Sequence, residues 1–129
     1  MTLLADACAL IAFHGYGGQT MSHAGKMAMG TGDVLVSPIT VWEITRKVAI
    51  GKLETPTPPG FMGSFSDWLR QAGYRVVPLS WDMCERANAL PAHHKDPMDR
   101  MLVATALDRG LTIVSDDEVF PAYGVATLW

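Results

Sequence analysis

Cysteine is nearly missing from this chain of 129 residues: Cys8 and Cys84 are the two it has, and they form no CxxC pair. That excludes a disulfide-dense secreted scaffold and fits a reducing cytosol, so a cytoplasmic location is expected, with the two thiols as small packing residues. Charge is sparse too, at 18% of residues with a net charge of -3, which argues against broad attraction to phosphate backbones. No apolar run nears the roughly 20 residues needed to span a bilayer. The start MTLLADACALIAF has no basic leading segment and carries Asp6 inside it, so neither export nor membrane association is expected. The phosphate-cradling patterns GxxxxGK[ST] and GxGxxG are absent, which speaks against a nucleotide cofactor, and there is no GxSxG elbow.

What is present is a hydrophobic fraction of 49%, too apolar for a disordered chain and enough for the core of one domain spanning 1–129. Short apolar runs at Leu3 to Asp6 and 34–36 read as buried strands, 75–78 as a short strand or edge segment, and 112–114 and 125–128 as further strands. Helical stretches alternate with them. Ser37-Pro38 is a helix start, with serine as cap and proline at the first helical position, and Gly51 ends that helix. Phe61, Phe65, Trp68 and Leu69 recur at helical spacing, Ser80 caps a helix from Trp81 to about Leu90, and Asp96-Pro97 opens another that ends near Gly110. The segment from His14 to Gly32 is rich in glycine and methionine, with a short helix over 22–29 and mobile flanks. The alternation predicts an α/β fold with a mostly parallel central sheet flanked by helices.

Four carboxylates stand beside these runs: Asp6, Glu43, Asp99 and Asp117. Strand ends of a parallel sheet converge on one rim, so acids there can gather around a hard cation. Each has a plainer reading. Asp6 and Asp117, with its neighbour Asp116, can serve turns. Asp99 in a first helical turn gains from the helix dipole. Glu43 lies beyond reach of the unpaired amides at its helix start, so capping does not explain it, although a pair with Lys47 would. Asp96 has an evident structural role as a cap. The joint placement of four acids favours a shared site over four separate structural roles. An all-oxygen set suits Mg2+ or Mn2+. Zinc is disfavoured, because the adjacent His93 and His94 point in different directions and no other His or Cys completes a tetrahedral set. Arg46, Lys47 and Lys52, with Lys95 and Arg100, supply cations near the acids for phosphate contacts.

These residues resemble the PIN-domain ribonucleases, and within them the VapC-like toxins of toxin-antitoxin pairs. LLADACALIAF is similar to the family's first strand LLLDTHALLW, VSPITVWEITRKVAIGKL to its serine-to-WEI helix, LPAHHKDPMDRMLVATAL to its LP-H-DPFDR-LIA segment, and LTIVSDDEVFPAYGV to its (V/L)(T/S)xD..F..Y block. The resemblance covers nearly the whole chain. It implies a PIN-like three-layer fold and Mg2+- or Mn2+-dependent endonucleolytic cleavage of RNA. The metal and catalytic residues would be Asp6, Glu43, Asp99 and Asp117, with Ser115 as polar neighbour, Arg100 orienting a carboxylate or phosphate, and Asp116 at a variable position beside them. It further implies a small antitoxin as partner and a homodimer. Ala7 departs from the family's threonine or serine, and Cys8 from its histidine; the lost hydroxyl would weaken support for the metal.

Three rival classes are weaker. A phospho-acceptor signalling domain would carry a lysine after its last core strand, and none follows Thr127. A phosphatase with a nucleophilic aspartate would place a second acid two residues on, where this chain has Cys8. The stronger rival is a PIN-like binding module of weak or lost activity that acts through a protein partner.

Overall fold

The computed structural model describes residues 1–15 and 20–129. Strand β1 (Thr2–Ala5) leads into helix α1 (Ala7–His14), followed by α2 (His23–Thr31), β2 (Asp33–Val36) and α3 (Pro38–Ala49). Then come α4 (Phe65–Gln71), β3 (Arg75–Val76), α5 (Trp81–Ala89), α6 (Pro97–Arg109) and β4 (Thr112–Val114), a 3-10 turn at Phe120–Tyr123, and β5 (Thr127–Leu128). The sheet order is β3-β2-β1-β4-β5. Every pairing among the described residues is parallel, in keeping with the mostly parallel sheet expected.

The strands lack hydrophobic alternation because both faces are covered, and the period of two instead divides their side chains between two cores. Leu3, Ala5, Val34, Val36 and Val114 enter one core with Leu10 of α1, Met29 of α2, Ile44 of α3 and Phe65, Trp68 and Leu69 of α4. Leu4, Leu35 and Ile113 enter the other with Leu102, Val103 and Ala106 of α6 and Phe120. Helices on both sides of a parallel sheet make the three-layer α/β architecture. No described helix is long and apolar enough to cross a membrane.

Capping chemistry sets the boundaries. Ser22, Ser37, Ser80 and Asp96 each accept an amide of the first turn that follows them, which satisfies donors the helix itself cannot. The helix expected to begin near Phe61 begins four residues later, because Ser64 and Asp67 form a reciprocal capping box that fixes the first turn there. Phe61 still packs against the first core. Helix α3 ends at Ala49, and Gly51 follows with φ 78°. The last strand is shorter than 125–128, since Val125 is buried in the second core just after Gly124 turns the chain at φ 80°. The expected helix around 22–29 is present as α2, and part of the expected mobile flank, 16–19, lies outside the described residues.

Candidate metal centre

Parallel register determines what meets at the rim. Ala5 pairs with Val36 on one side and Val114 on the other, so the next residues, Asp6, Ser37 and Ser115, leave the sheet side by side. All three are buried. The Asp6 carboxylate caps α1, with Oδ1 accepting the Ala9 N–H at 2.7 Å. Burial pushes its carboxyl up to about 6; the Ser115 hydroxyl and the Ala9 amide oppose that, while repulsion from Asp116 and Glu43 adds to it.

Glu43 comes from the second turn of α3 and is half-buried. Desolvation raises its pKa, Lys47 opposes and Asp96 adds repulsion. Asp99 comes from the first turn of α6, where Asp96 caps the helix by accepting the Met98 N–H at 2.8 Å. Burial, followed by repulsion from Asp96, raises the Asp99 carboxyl to about 7; His94 pulls it down, and Glu43 and Asp117 push it further up. Asp117 follows β4, its own N–H bonded to Ser115 Oγ at 3.1 Å. Burial alone would raise Asp117 as well, but the Val119 N–H on Oδ1 at 2.9 Å and His94 on Oδ2 outweigh it, leaving the carboxyl below its usual value.

The four acids therefore converge. Asp6, Glu43, Asp99 and Asp117 line one cleft of about 250 Å³ with Asp116, Ala7 and Cys8. Ser115 ties the first and last of them together, accepting from the Asp117 amide and hydrogen-bonding Asp6. Ala7 is buried and carries no polar group, so the hydroxyl that serves Asp6 comes from residue 115. Asp116 is exposed at the cleft. The Cys8 thiol is pushed up to about 11, first by burial and then by Asp6, so it stays protonated at neutral pH. A separate apolar groove of about 200 Å³ between α3, α4 and β3, lined by Val41, Leu69 and Val76 among others, contains no acid.

Two residues have roles that the motif reading did not assign. Arg100 was expected to orient a carboxylate or phosphate. Its two terminal nitrogens instead donate to the carbonyls of Ala87 and Leu90 at 2.9 Å, Pro91 at 3.0 Å and His94 at 3.2 Å, which ties the α5–α6 connection to the start of α6. His94 was set aside with zinc, yet its Nε2 lies 2.8 Å from Asp117 Oδ2 and 3.1 Å from Asp99 Oδ2. His94, Asp99 and Asp117 offer ligand atoms all within 4.8 Å of one another. The histidine of the LP-H-DP segment was the signal for it. His93, its neighbour, turns its ring edge toward Tyr123, at 5.0 Å between centroids.

The donor chemistry fits a hard divalent ion. The cleft gathers carboxylate oxygens, and burial and mutual repulsion leave Asp6 and Asp99 reluctant to ionise without a positive charge beside them, which is the condition a cation relieves.

The PIN domain family profile matches residues 3–126. Among solved structures, FitAcB from Neisseria gonorrhoeae is similar over all of this chain and 97% of that one, with 19% identity and a TM-score of 0.68. A toxin-antitoxin complex from Klebsiella pneumoniae covers 89% of this chain and 86% of its own, with 19% identity and a TM-score of 0.59. VapBC2 from Rickettsia felis, bound to a DNA fragment from their promoter, covers 98% and 97% with 10% identity and a TM-score of 0.64. At such identities the likeness is one of fold. No curated protein matches the chain.

Proposed function

The chain belongs to the PIN-domain family, and from that premise we propose that it is the VapC-like toxin of a type II toxin-antitoxin pair, an endoribonuclease dependent on Mg2+ or Mn2+. The observation that carries this reading is the convergence of Asp6, Glu43, Asp99 and Asp117 on one cleft, with three of the four held at raised pKa. A structure similar to it is described as a toxin-antitoxin complex, which supports an antitoxin as partner here. A homodimer and a cytoplasmic setting belong to the same reading.

Asp6, Glu43, Asp99 and Asp117 would hold a divalent ion, which when bound would supply activation of water for in-line attack on a phosphodiester and charge stabilisation at the leaving oxygen. The chain's own residues hold the ligands in place. Asp6 is fixed by the Ala9 amide and the Ser115 hydroxyl, and Asp117 by the Val119 amide. Lys47, four residues beyond Glu43 on α3, lies close enough to affect both Glu43 and Cys8. With Arg46 and Lys52 it offers RNA phosphates a contact beside the cleft. No protein nucleophile is needed, which agrees with a Cys8 thiol that stays protonated.

The test is cleavage by the full chain purified free of any partner. RNA is expected to be cut only with added Mg2+ or Mn2+, and Asp6→Asn or Asp99→Asn to remove that activity while leaving circular dichroism unchanged. Metal-dependent cleavage surviving both substitutions overturns the assignment. Lack of cleavage across several RNA classes, together with tight capture of the antitoxin encoded beside it, would favour the non-catalytic binding module instead.

A further inference from the structure

His94 is held by its backbone before its ring does anything. Its N–H donates to the Tyr123 hydroxyl at 2.7 Å, and its carbonyl accepts from Arg100. The ring packs near Phe120, at 5.8 Å between centroids, and the side chain is 16% exposed. Nδ1 accepts the backbone N–H of Asp96 at 3.2 Å. A ring nitrogen that accepts an N–H carries no proton, so the neutral imidazole bears its proton on Nε2. That proton points at two acceptors, Asp117 Oδ2 at 2.8 Å and Asp99 Oδ2 at 3.1 Å. A protonated nitrogen has no lone pair to give a metal ion.

We propose that His94 is a positioning residue and not a metal ligand: its Nε2–H is shared between Asp99 and Asp117 and holds the two carboxylates, one from a helix and one from a strand end, at ligand spacing. The proposal rests on the metal-centre reading and deepens it. Geometry alone would group His94 with the acids as a third ligand; the tautomer set by Asp96 removes it from that set. To ligate through Nε2 the ring would have to move its proton to Nδ1 and give up the Asp96 N–H, next to the cap of α6. The histidine supplies an outer hydrogen bond to the acids instead, of the kind that orients metal ligands.

Two measurements on the full chain test this. The first is Mn2+ affinity by calorimetry for the native chain, His94→Gln and His94→Leu. Glutamine keeps an N–H donor near Nε2 without an imidazole, so it is expected to bind within about threefold of native, whereas leucine is expected to lose ~10- to 100-fold. Glutamine as weak as leucine overturns the proposal, as does leucine binding as tightly as native. The second is nitrogen NMR of the native ring, with and without Mg2+, which does not depend on any variant folding. A proton on Nε2 and none on Nδ1 is expected in both states; loss of the Nε2 proton on adding Mg2+ would make His94 a ligand and sink the idea. A native chain that binds no Mn2+ removes the metal reading and this proposal with it. That failure is distinct, because the ring pattern of the metal-free protein would be untouched.

Discussion

The carboxylate of Asp6 accepts the Ala9 backbone N–H at 2.7 Å, so one side chain both faces the acidic cleft and caps α1. The two roles separate by substitution. Asp6→Asn keeps an acceptor for the amide and drops the charge; Asp6→Ala drops both. Asn is expected to be the more stable of the two by ~1 kcal/mol in urea unfolding, the usual value of an N-cap. Both are expected to lose RNA cleavage. With its carboxyl at about 6, native Asp6 is ionised at neutral pH against a burial cost of roughly 3 kcal/mol at 1.36 kcal/mol per pKa unit. Asp6→Asn should therefore exceed the metal-free native protein in stability at pH 7, and a lower value would count against the burial argument.

The pH dependence has a definite sign. Asp6 and Asp99 titrate at about 6 and about 7 in the folded chain, against 3.8 for an ordinary aspartate. Between those values the folded state binds more protons than the unfolded, so metal-free stability falls as pH rises through the window and levels off above about 7. Asp117, with its lowered pKa, acts below that window. His14, lowered by burial, acts in the opposite sense near 6.5. The native melting temperature minus that of Asp99→Asn isolates the Asp99 share, and it should decline with rising pH.

Protons and metal compete for the same oxygens, which gives an independent check. Mn2+ is expected to raise the melting temperature more at about pH 8 than at about pH 5.5, and chelation to abolish the gain. Equal stabilisation at both pH values would mean that the ion sits somewhere other than on Asp6 and Asp99.

Much of the site is written in local sequence. Asp6, Ser115 and Asp117 stand beside apolar runs, and a parallel sheet places such ends on one rim; Ser37-Pro38 and Asp96-Pro97 fix where α3 and α6 begin, and therefore place Glu43 in the second turn of one and Asp99 in the first turn of the other. Strand order is another matter. That β1 sits between β2 and β4 is a tertiary fact no local pattern states. The contacts of His94 and Arg100 were illegible for a related reason. Both depend on the fold of the connection 90–96, where the carbonyls of Leu90, Pro91 and His94 turn toward one guanidinium. Read alone, an arginine beside an aspartate looks like a phosphate ligand. The Phe61 stripe misled because apolar spacing continued through a loop that the Ser64–Asp67 capping box excludes from the helix.

Arg100→Lys tests that connection. An ammonium on a flexible stem cannot reproduce a planar fork across four carbonyls. Several acceptors would lose their donor at once, so a loss of roughly 2 kcal/mol is expected in urea unfolding. Mn2+ affinity should fall too, because the His94 carbonyl shares this guanidinium. A stability change within about 0.5 kcal/mol would show the network to be dispensable.

Thr40 carries the last prediction. It is fully buried in the first turn of α3, and its hydroxyl is the side-chain polar atom among the described residues that is buried without a hydrogen-bond partner. The reason is its position. Threonines deeper in helices use the carbonyl four residues back, as Thr45 does with Val41 and Thr105 with Met101. For Thr40 that carbonyl belongs to Val36, which lies in β2 before the helix begins and points across the sheet edge to the Val77 N–H at 3.1 Å instead of along the helix. Replacing the hydroxyl by a methyl in Thr40→Val removes an unmet polar group without opening a cavity, so a gain of ~1 kcal/mol is expected. Thr40→Ala, which leaves a void, should lose stability instead. Cleavage should survive Thr40→Val. A valine variant as stable as predicted but inactive on RNA would mean that the hydroxyl has a partner in the working site, three residues before Glu43 on the same helix.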